Sequence, residues 1–190
     1  MRKLTYYISQ SIDGFIAAPD GGFEHLMPFV DVHKWIVAEY PETLPAFIHE
    51  AMGVDGPPRV FDTVIMGRAT YEPGVEAGHV SPYPHLRQYV VTSTITESLS
   101  PDVTLVAGDP LETVRALKAE DGDMGIWLAG GATLAGALFD EIDELVLKTY
   151  PIISRSGIPL FYGDFEPRRF TPKETLRFDD GGSVTRYVRT

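Results

Sequence analysis

Three short segments of this chain combine glycine with hydroxyl or guanidinium groups where an apolar run gives way to a helical pattern. The first is Val64-Ile65-Met66-Gly67-Arg68-Ala69-Thr70-Tyr71-Glu72. A strand that meets a helix start at Gly67 exposes backbone amides, and the helix dipole and the Arg68 guanidinium would add to their pull on an anion. Thr70 contributes a hydroxyl. The second is Thr92-Ser93-Thr94, three hydroxyls in a row just past an apolar run. The third is Ala129-Gly130-Gly131-Ala132-Thr133, where two glycines let a backbone come close to a pyrophosphate just ahead of a helix. Taken singly, each reads more simply as a tight turn, a surface ion pair or a strand end. Their recurrence at three strand ends is what points to phosphate. None matches the G-x-G-x-x-G or G-x-x-x-x-G-K-[ST] pattern.

Other chemistries find little support. The chain has no cysteine, which excludes a disulfide framework, a Cys-ligated metal and a Cys nucleophile. The five histidines (His25, His33, His49, His79, His85) lack metal-ligand spacing and read as scattered surface residues, so no metal is expected. No G-x-S-x-G elbow is present. Asp140, Glu141, Asp143 and Glu144 read as a solvated turn, and Trp127 as a core residue. The net charge of -11 repels phosphate backbones and anionic lipid, which argues against nucleic-acid or membrane partners. No apolar run is long enough for a membrane span, and Leu4 to Ile8 is too short for a signal h-region. A cytoplasmic location is expected.

The elements that must position the three segments follow from periodicity. Leu4 to Ile12 reads as a strand, broken at Asp13-Gly14 and resumed over Phe15 to Ala17. Val32 to Tyr40 and Leu44 to Met52 have helical spacing. Short apolar runs at Thr63–Met66, Gln88–Thr92, Val103–Val106, Gly125–Ala129 and Leu145–Tyr150 read as strands. A short helix is expected near Ala69 to Glu72, limited by Pro73. Asp109-Pro110-Leu111-Glu112 is a helix start, with Asp109 as cap and Pro110 in the first turn. A further helix is expected from Gly131 to Phe139. Phe170–Arg177 and Ser183–Val188 flank Asp179-Asp180-Gly181-Gly182 and read as an antiparallel hairpin. Alternating strands and helices imply a mainly parallel sheet. At 190 residues, with 44% hydrophobic and 23% charged residues, the chain suits a single α/β domain over residues 1–190. Ligands in such sheets sit beyond the carboxyl ends of the strands.

Ser11-Ile12-Asp13-Gly14-Phe15-Ile16-Ala17, Met66-Gly67-Arg68-Ala69-Thr70-Tyr71-Glu72 and Ala129-Gly130-Gly131 resemble, in this order, the motifs of the dihydrofolate reductase-like superfamily. Asp143-Glu144-Leu145 through Tyr150-Pro151 and Gly157-Ile158-Pro159-Leu160-Phe161 resemble its RibD C-terminal branch, the reductase domain of riboflavin biosynthesis and its stand-alone relatives. The resemblance implies a dihydrofolate reductase-like α/β fold and an NADPH-dependent reductase acting on a small heterocycle or carbonyl compound, such as a pterin or pyrimidine. It implies that Gly67, Arg68 and Thr70 bind cofactor phosphates and that Thr92, Ser93 and Thr94 lie near the adenosine ribose and its 2′-phosphate. Gly130, Gly131, Ala132 and Thr133 would hold the pyrophosphate. Ser9, Ile16 and Ala17 would border the nicotinamide, and Asp13 would fix its turn. A homodimer is implied as well. There are departures. Ala132 stands where dihydrofolate reductases often have arginine, and residues 23–58 match no substrate motif. Glu50 is the one carboxylate there that could engage a substrate ring, against a plainer reading as a solvated helix-face charge. A non-catalytic nucleotide-binding module on the same fold is the rival reading, and folate reduction itself a third.

Overall fold

Tyr, Ile and Thr crowd the segment after Lys3, and β-branched and aromatic side chains suit a pleated, buried surface. In the computed structural model, which describes residues 1–27 and 29–190, this segment is strand β1 (Leu4–Ser11), in the interior of an eight-stranded sheet. The other members are β3 (Phe61–Gly67), β4 (Arg87–Val91), β5 (Val103–Val106), β6 (Gly125–Gly130), β7 (Glu144–Tyr150), β9 (Phe170–Arg177) and β10 (Ser183–Arg189). Their spatial order is β5-β4-β3-β6-β1-β7-β10-β9. The first six run parallel, and β10 and β9 add an antiparallel edge through the terminal hairpin. β2 (Phe15–Ala17) leaves this sheet. It pairs instead with β8 (Ile158–Pro159), a two-residue strand that periodicity cannot reveal.

Helices cover both faces. On one face α1 (Val30–Glu39) and α3 (Arg68–Glu76) lay Val32, Ile36 and Tyr71 on a core with Tyr7, Phe61, Trp127, Val146 and Tyr150. On the other, α4 (Pro110–Ala119) and α5 (Ala132–Ala137) lay Val114, Leu117, Leu134 and Ala135 against Leu4, Tyr6, Ile126, Leu128 and Leu145. Each such aliphatic side chain removed from water contributes about 1.5–3 kcal/mol. Asp109 caps α4 as its sequence implies, accepting from the Leu111 amide at 2.9 Å.

Several boundaries differ from expectation. The helix read over Leu44 to Met52 is a 3-10 turn (Ala46–Ile48) followed by the four-residue α2 (His49–Met52). Pro45 is the cause: it is extended, and it holds Leu44 extended too. Conversely, α3 runs through Pro73 to Glu76. The Ala69 carbonyl, deprived of its amide partner there, belongs to an exposed residue that water can reach. The helix after Gly131 ends at Ala137, ahead of a 3-10 turn at Phe139–Glu141.

The acidic stretch at 140–144 is not simply solvated. Glu144 is buried and pairs with Lys3 and Arg186, Glu141 pairs with Arg115, and Asp143 takes the Leu4 amide and Lys118. Beside them Arg2, buried at the amino end of β1, is held by Asp62, Glu120 and Thr63. No helix among the described residues is long and apolar enough to cross a membrane.

Candidate active site

β1 pairs with β6 only over Leu4–Tyr6, but with β7 over Thr5–Ser11. Past Tyr6, then, the residues of β1 and β6 are no longer paired in register. The Tyr7 carbonyl, beyond this pairing, accepts from the indole of the buried Trp127 on β6 at 3.2 Å. The chain has filled one side of β1 with β6 and β3 and the other with β7. The gap therefore lies at a topological switch, where an open α/β sheet takes its ligand.

The glycine segments meet at this gap. A Cβ on Gly67 would lie 3.7 Å from Gly130 O and Gly131 N. A Cβ on Gly130 or Gly131 would lie 3.8 or 3.9 Å from Thr70 Oγ1. Gly130 also has φ +118°, a conformation L side chains rarely adopt. Side chains at these glycines would thus fill the space over the Thr70 hydroxyl, which bonds to no other described residue. Ala132 is buried and Thr133 exposed, so Ala132 offers backbone rather than charge.

Next to this cradle, Arg68, Val91, Thr92, Ser93, Val106, Ala107 and Gly108 line an open cavity of about 270 Å³. Thr92 is structural within it: its hydroxyl accepts the Thr94 and Ile95 amides at 3.2 and 3.1 Å, folding the turn that leaves Ser93 and Thr94 exposed. Arg68 gives Nη1 to Glu72, one helical turn on, at 2.6 and 2.8 Å. The surface ion pair and the cavity position coexist, because the other guanidinium nitrogens bond to no described residue.

At the β1 end the Ser-x-Asp-Gly turn is stapled shut. The Ser11 hydroxyl donates to Asp13 Oδ1 at 2.7 Å and accepts the Phe15 amide at 3.0 Å. Asp13 also accepts the amides of Ser154 and Arg155 at 3.0 and 2.8 Å. The Ser11 hydroxyl, followed by the Ser154 amide, holds its carboxyl down at about 2. Asp13 fixes the turn, as its sequence context suggested, and it clamps the loop after β7 too. Ile16 and Ala17 are buried on β2, and Ser9 lies beside Lys148 in the β1–β7 register.

Segment 23–58, apart from Pro28, which lies outside the described residues, covers the α1 face. Trp35 and Tyr40 pack into it, with ring centroids 5.1 Å apart and Tyr40 4.8 Å from Tyr7. Phe47 stacks on His79 at 3.9 Å. Glu50 is exposed and its carboxylate bonds to no described residue, which is the setting of a solvated charge. The histidines are not scattered on the surface. His49 and His85 have ring centroids 4.8 Å apart and tie to the carbonyls of Leu44 and Glu42. They fasten the stretch around Leu44 to Met52, where the expected helix is broken.

The residue missed from sequence is Lys148. It is only 7% exposed, and its Nζ lies 3.6 Å from the centroid of the Tyr7 ring. It makes no hydrogen bond or ion pair with a described residue. Burial brings its pKa down to about 7. A lysine inside Glu144–Tyr150, a strand covered on both faces, was the available signal, because lysine is almost never fully buried without a partner.

Comparison with known proteins places the chain in a family and a fold. YwjB of Bacillus subtilis (strain 168), itself uncharacterised, is 31% identical over 190 residues, which cover 99% of this chain and 98% of that protein. A Shewanella sp. PV-4 protein named for riboflavin biosynthesis superposes with a TM-score of 0.71 at 26% identity, over 100% of this chain and 99% of that one. Dihydrofolate reductase from Enterococcus faecalis, complexed with NADP(H), gives 0.67 at 16% identity, over 99% and 96% of the two chains. A Thermotoga maritima deaminase/reductase gives 0.65 at 16%, over all of this chain and 57% of that one. These last two likenesses concern the fold alone, which is dihydrofolate reductase-like. The description "RibD C-terminal domain" matches residues 2–181, and the chain belongs to that family.

Proposed function

We propose that the chain is an NADPH-dependent reductase acting on a small heterocyclic or carbonyl substrate. The observation that carries this reading is the meeting of Gly67, Thr70, Gly130 and Gly131 at the β1–β6 gap, beside the cavity that Arg68 and Ser93 line. Three glycines and a free hydroxyl suit a pyrophosphate approached by backbone. The amides of Ala132 and Thr133 extend that surface. The spare guanidinium nitrogens of Arg68 and the Ser93 and Thr94 hydroxyls suit a further phosphate on the ribose. Ser9, Ile16 and Ala17 would then border the nicotinamide. The bound cofactor would supply the hydride, and the protein the position and electrostatics. The family and the fold support the reading, and a neighbour of the same fold carries NADP(H).

Titration of NADPH and NADH against intrinsic Trp fluorescence tests the cofactor. NADPH should bind more tightly, and equal affinity or tighter NADH would overturn the phosphate assignments. Turnover is tested with a panel of pterins, pyrimidines and dicarbonyls. NADPH binding without oxidation by any of them would favour the non-catalytic nucleotide module. We also propose a homodimer, since β9 ends the sheet with an unpaired edge. Light scattering that gives the single-chain mass of 21.0 kDa at micromolar concentration would defeat that.

A further inference from the structure

We propose that the α1 face of the sheet holds a substrate subsite in which the Lys148 ammonium takes an oxygen acceptor, a carbonyl or carboxylate on a flat ring, and passes its proton to the reduced group. The binding half stands by itself; the proton half rests on the reductase reading above.

Two polar groups meet here without a hydrogen-bond partner among the described residues: the Tyr7 hydroxyl, which is buried, and the Lys148 ammonium, on a residue 7% exposed. Lys148 Nζ lies over the Tyr7 ring, 3.6 Å from its centroid. The hydroxyl of the same Tyr7 is buried and, apart from a loose approach to Thr43, has no hydrogen-bond partner among the described residues. Thr43, near it, instead donates to the Tyr40 carbonyl at 2.8 Å. A cation over an aromatic face keeps part of its stabilisation, but its three ammonium donors find no acceptor among the described residues. Unsatisfied buried groups are costly, and they recur where a ligand completes the set.

Position strengthens the case. Lys148 is in register with Ser9 on β1, two residues beyond Tyr7, whose carbonyl lies where β1 and β6 part. The amine therefore belongs to the sheet end that carries the proposed nicotinamide contacts, on the face closed by α1.

The charge balance selects the kind of ligand. Facing Lys148 are Tyr7 and Ser9 from β1, His33 from α1, Tyr150 on its own strand and Val184 from β10. The carboxylates around this face are already occupied. Glu42 accepts the amides of Val60 and Phe61 at 2.9 Å, Asp180 accepts those of Asp31 and Gly182, and Glu144 pairs with Lys3 and Arg186. A ring that presents donors or a positive charge would have to share carboxylates already engaged by amides or cations. One that presents oxygen acceptors would meet the unpartnered ammonium, with the Tyr7 and Tyr150 rings beside it.

For a carbonyl substrate the step balances. Hydride adds to the carbonyl carbon with its two electrons, the π pair moves to oxygen, and a Lys148 N–H proton goes to that oxygen. The lysine is left as a neutral amine and is reprotonated from water, and the reduced nicotinamide is the two-electron donor. Burial has brought the Lys148 pKa to about 7, so the amine can both give and regain the proton at neutral pH.

The test uses the full chain saturated with NADPH and two flat pyrimidines of opposite polarity: orotate, with two carbonyls and a carboxylate, and 2,4-diaminopyrimidine. Calorimetry should show orotate binding more tightly. Lys148→Met should weaken orotate by roughly tenfold or more, while Lys148→Arg, which keeps the charge, retains most of the affinity. In the unmutated protein, NMR of the Lys148 ε-methylene should show its titration moving upward when orotate binds, since an anion favours the ammonium. Orotate affinity should fall as pH rises past 7, and His33→Gln should leave that profile in place. Tighter binding of the diaminopyrimidine, an unchanged Lys148 titration, or a pH profile that vanishes with His33 would overturn the proposal. Failure of NADPH to bind, with orotate still shifting Lys148, would remove the reductase reading and the proton step and leave the subsite standing.

Discussion

At the carboxyl ends of β3 to β6 the chain turns through glycines and short hydroxyl side chains, and the cavity there is open and lined in good part by backbone. Under α1 the same sheet carries a core of Tyr7, Tyr150 and Trp127, with Trp35 and Tyr40 packed against it and one largely buried lysine over the Tyr7 ring. The first region offers many weak donors that water can also reach. The second concentrates one strong group where water is scarce. Phosphates are anionic and well hydrated, so an open cradle of amides suits them. A flat, poorly hydrated ring is better recognised where a single hydrogen bond counts for more.

Substitutions can break this contrast. The largest effect is expected at Gly130. Gly130→Val places a branched side chain at φ +118° and into the space over Thr70. NADPH binding should vanish from fluorescence titrations, with stability lower by about 1–3 kcal/mol. Unchanged binding would show that the cradle is only a turn.

Arg68→Ala should cost NADPH affinity about 1.5–3 kcal/mol, with a weaker salt dependence than the unmutated protein. Loss of thermal stability without loss of affinity would leave Arg68 as the partner of Glu72 and nothing more.

Lys148→Met should act in the opposite direction on stability. The folded-state pKa of Lys148 is depressed to about 7 against about 10.4 for an unperturbed lysine. Between these values the unfolded chain binds more protons, so stability rises with pH; below about 7 the burial cost is present in full. The variant should therefore be more stable by about 1–3 kcal/mol at pH 6 in chemical denaturation, with the gain fading as pH climbs toward 10. A destabilised variant would mean that the ammonium holds the α1 face together rather than waiting for a ligand.

Smaller effects are expected at the rims. Asp13→Asn should speed amide exchange at Ser154 and Arg155, which it accepts. Because its carboxyl sits near 2, the clamp should hold at every pH above the ordinary carboxylate range and loosen only as pH falls toward that value. Glu72→Gln should release Arg68 and tighten NADPH by less than about 1 kcal/mol, since the pair is half exposed.

Much of the open region was legible in the sequence because its geometry is local. Gly67, Gly130 and Gly131 mark turns by what a missing Cβ permits, and Asp109 and Pro110 mark a helix start through bonds spanning two residues. The Asp13 turn was legible in the same way; its reach to Ser154 and Arg155 was not. The α1 face was not legible. Leu44 to Met52 has helical spacing, yet Pro45 breaks it and His49 and His85 fasten the pieces through partners far apart in the chain. Glu50 drew notice by its charge and proves exposed.

By itself, then, the amino-acid order determined the alternation of strands and helices and the three phosphate-suited loops, because sterics and hydrogen bonding within a few residues decide them. Only the tertiary structure decided that β1 and β6 part after Tyr6, and that β1, β10 and α1 enclose Lys148 with no carboxylate beside it. The physical reason is that desolvation depends on what covers a group. Lys148 is covered by segments that begin over a hundred residues before it and end near the carboxyl terminus.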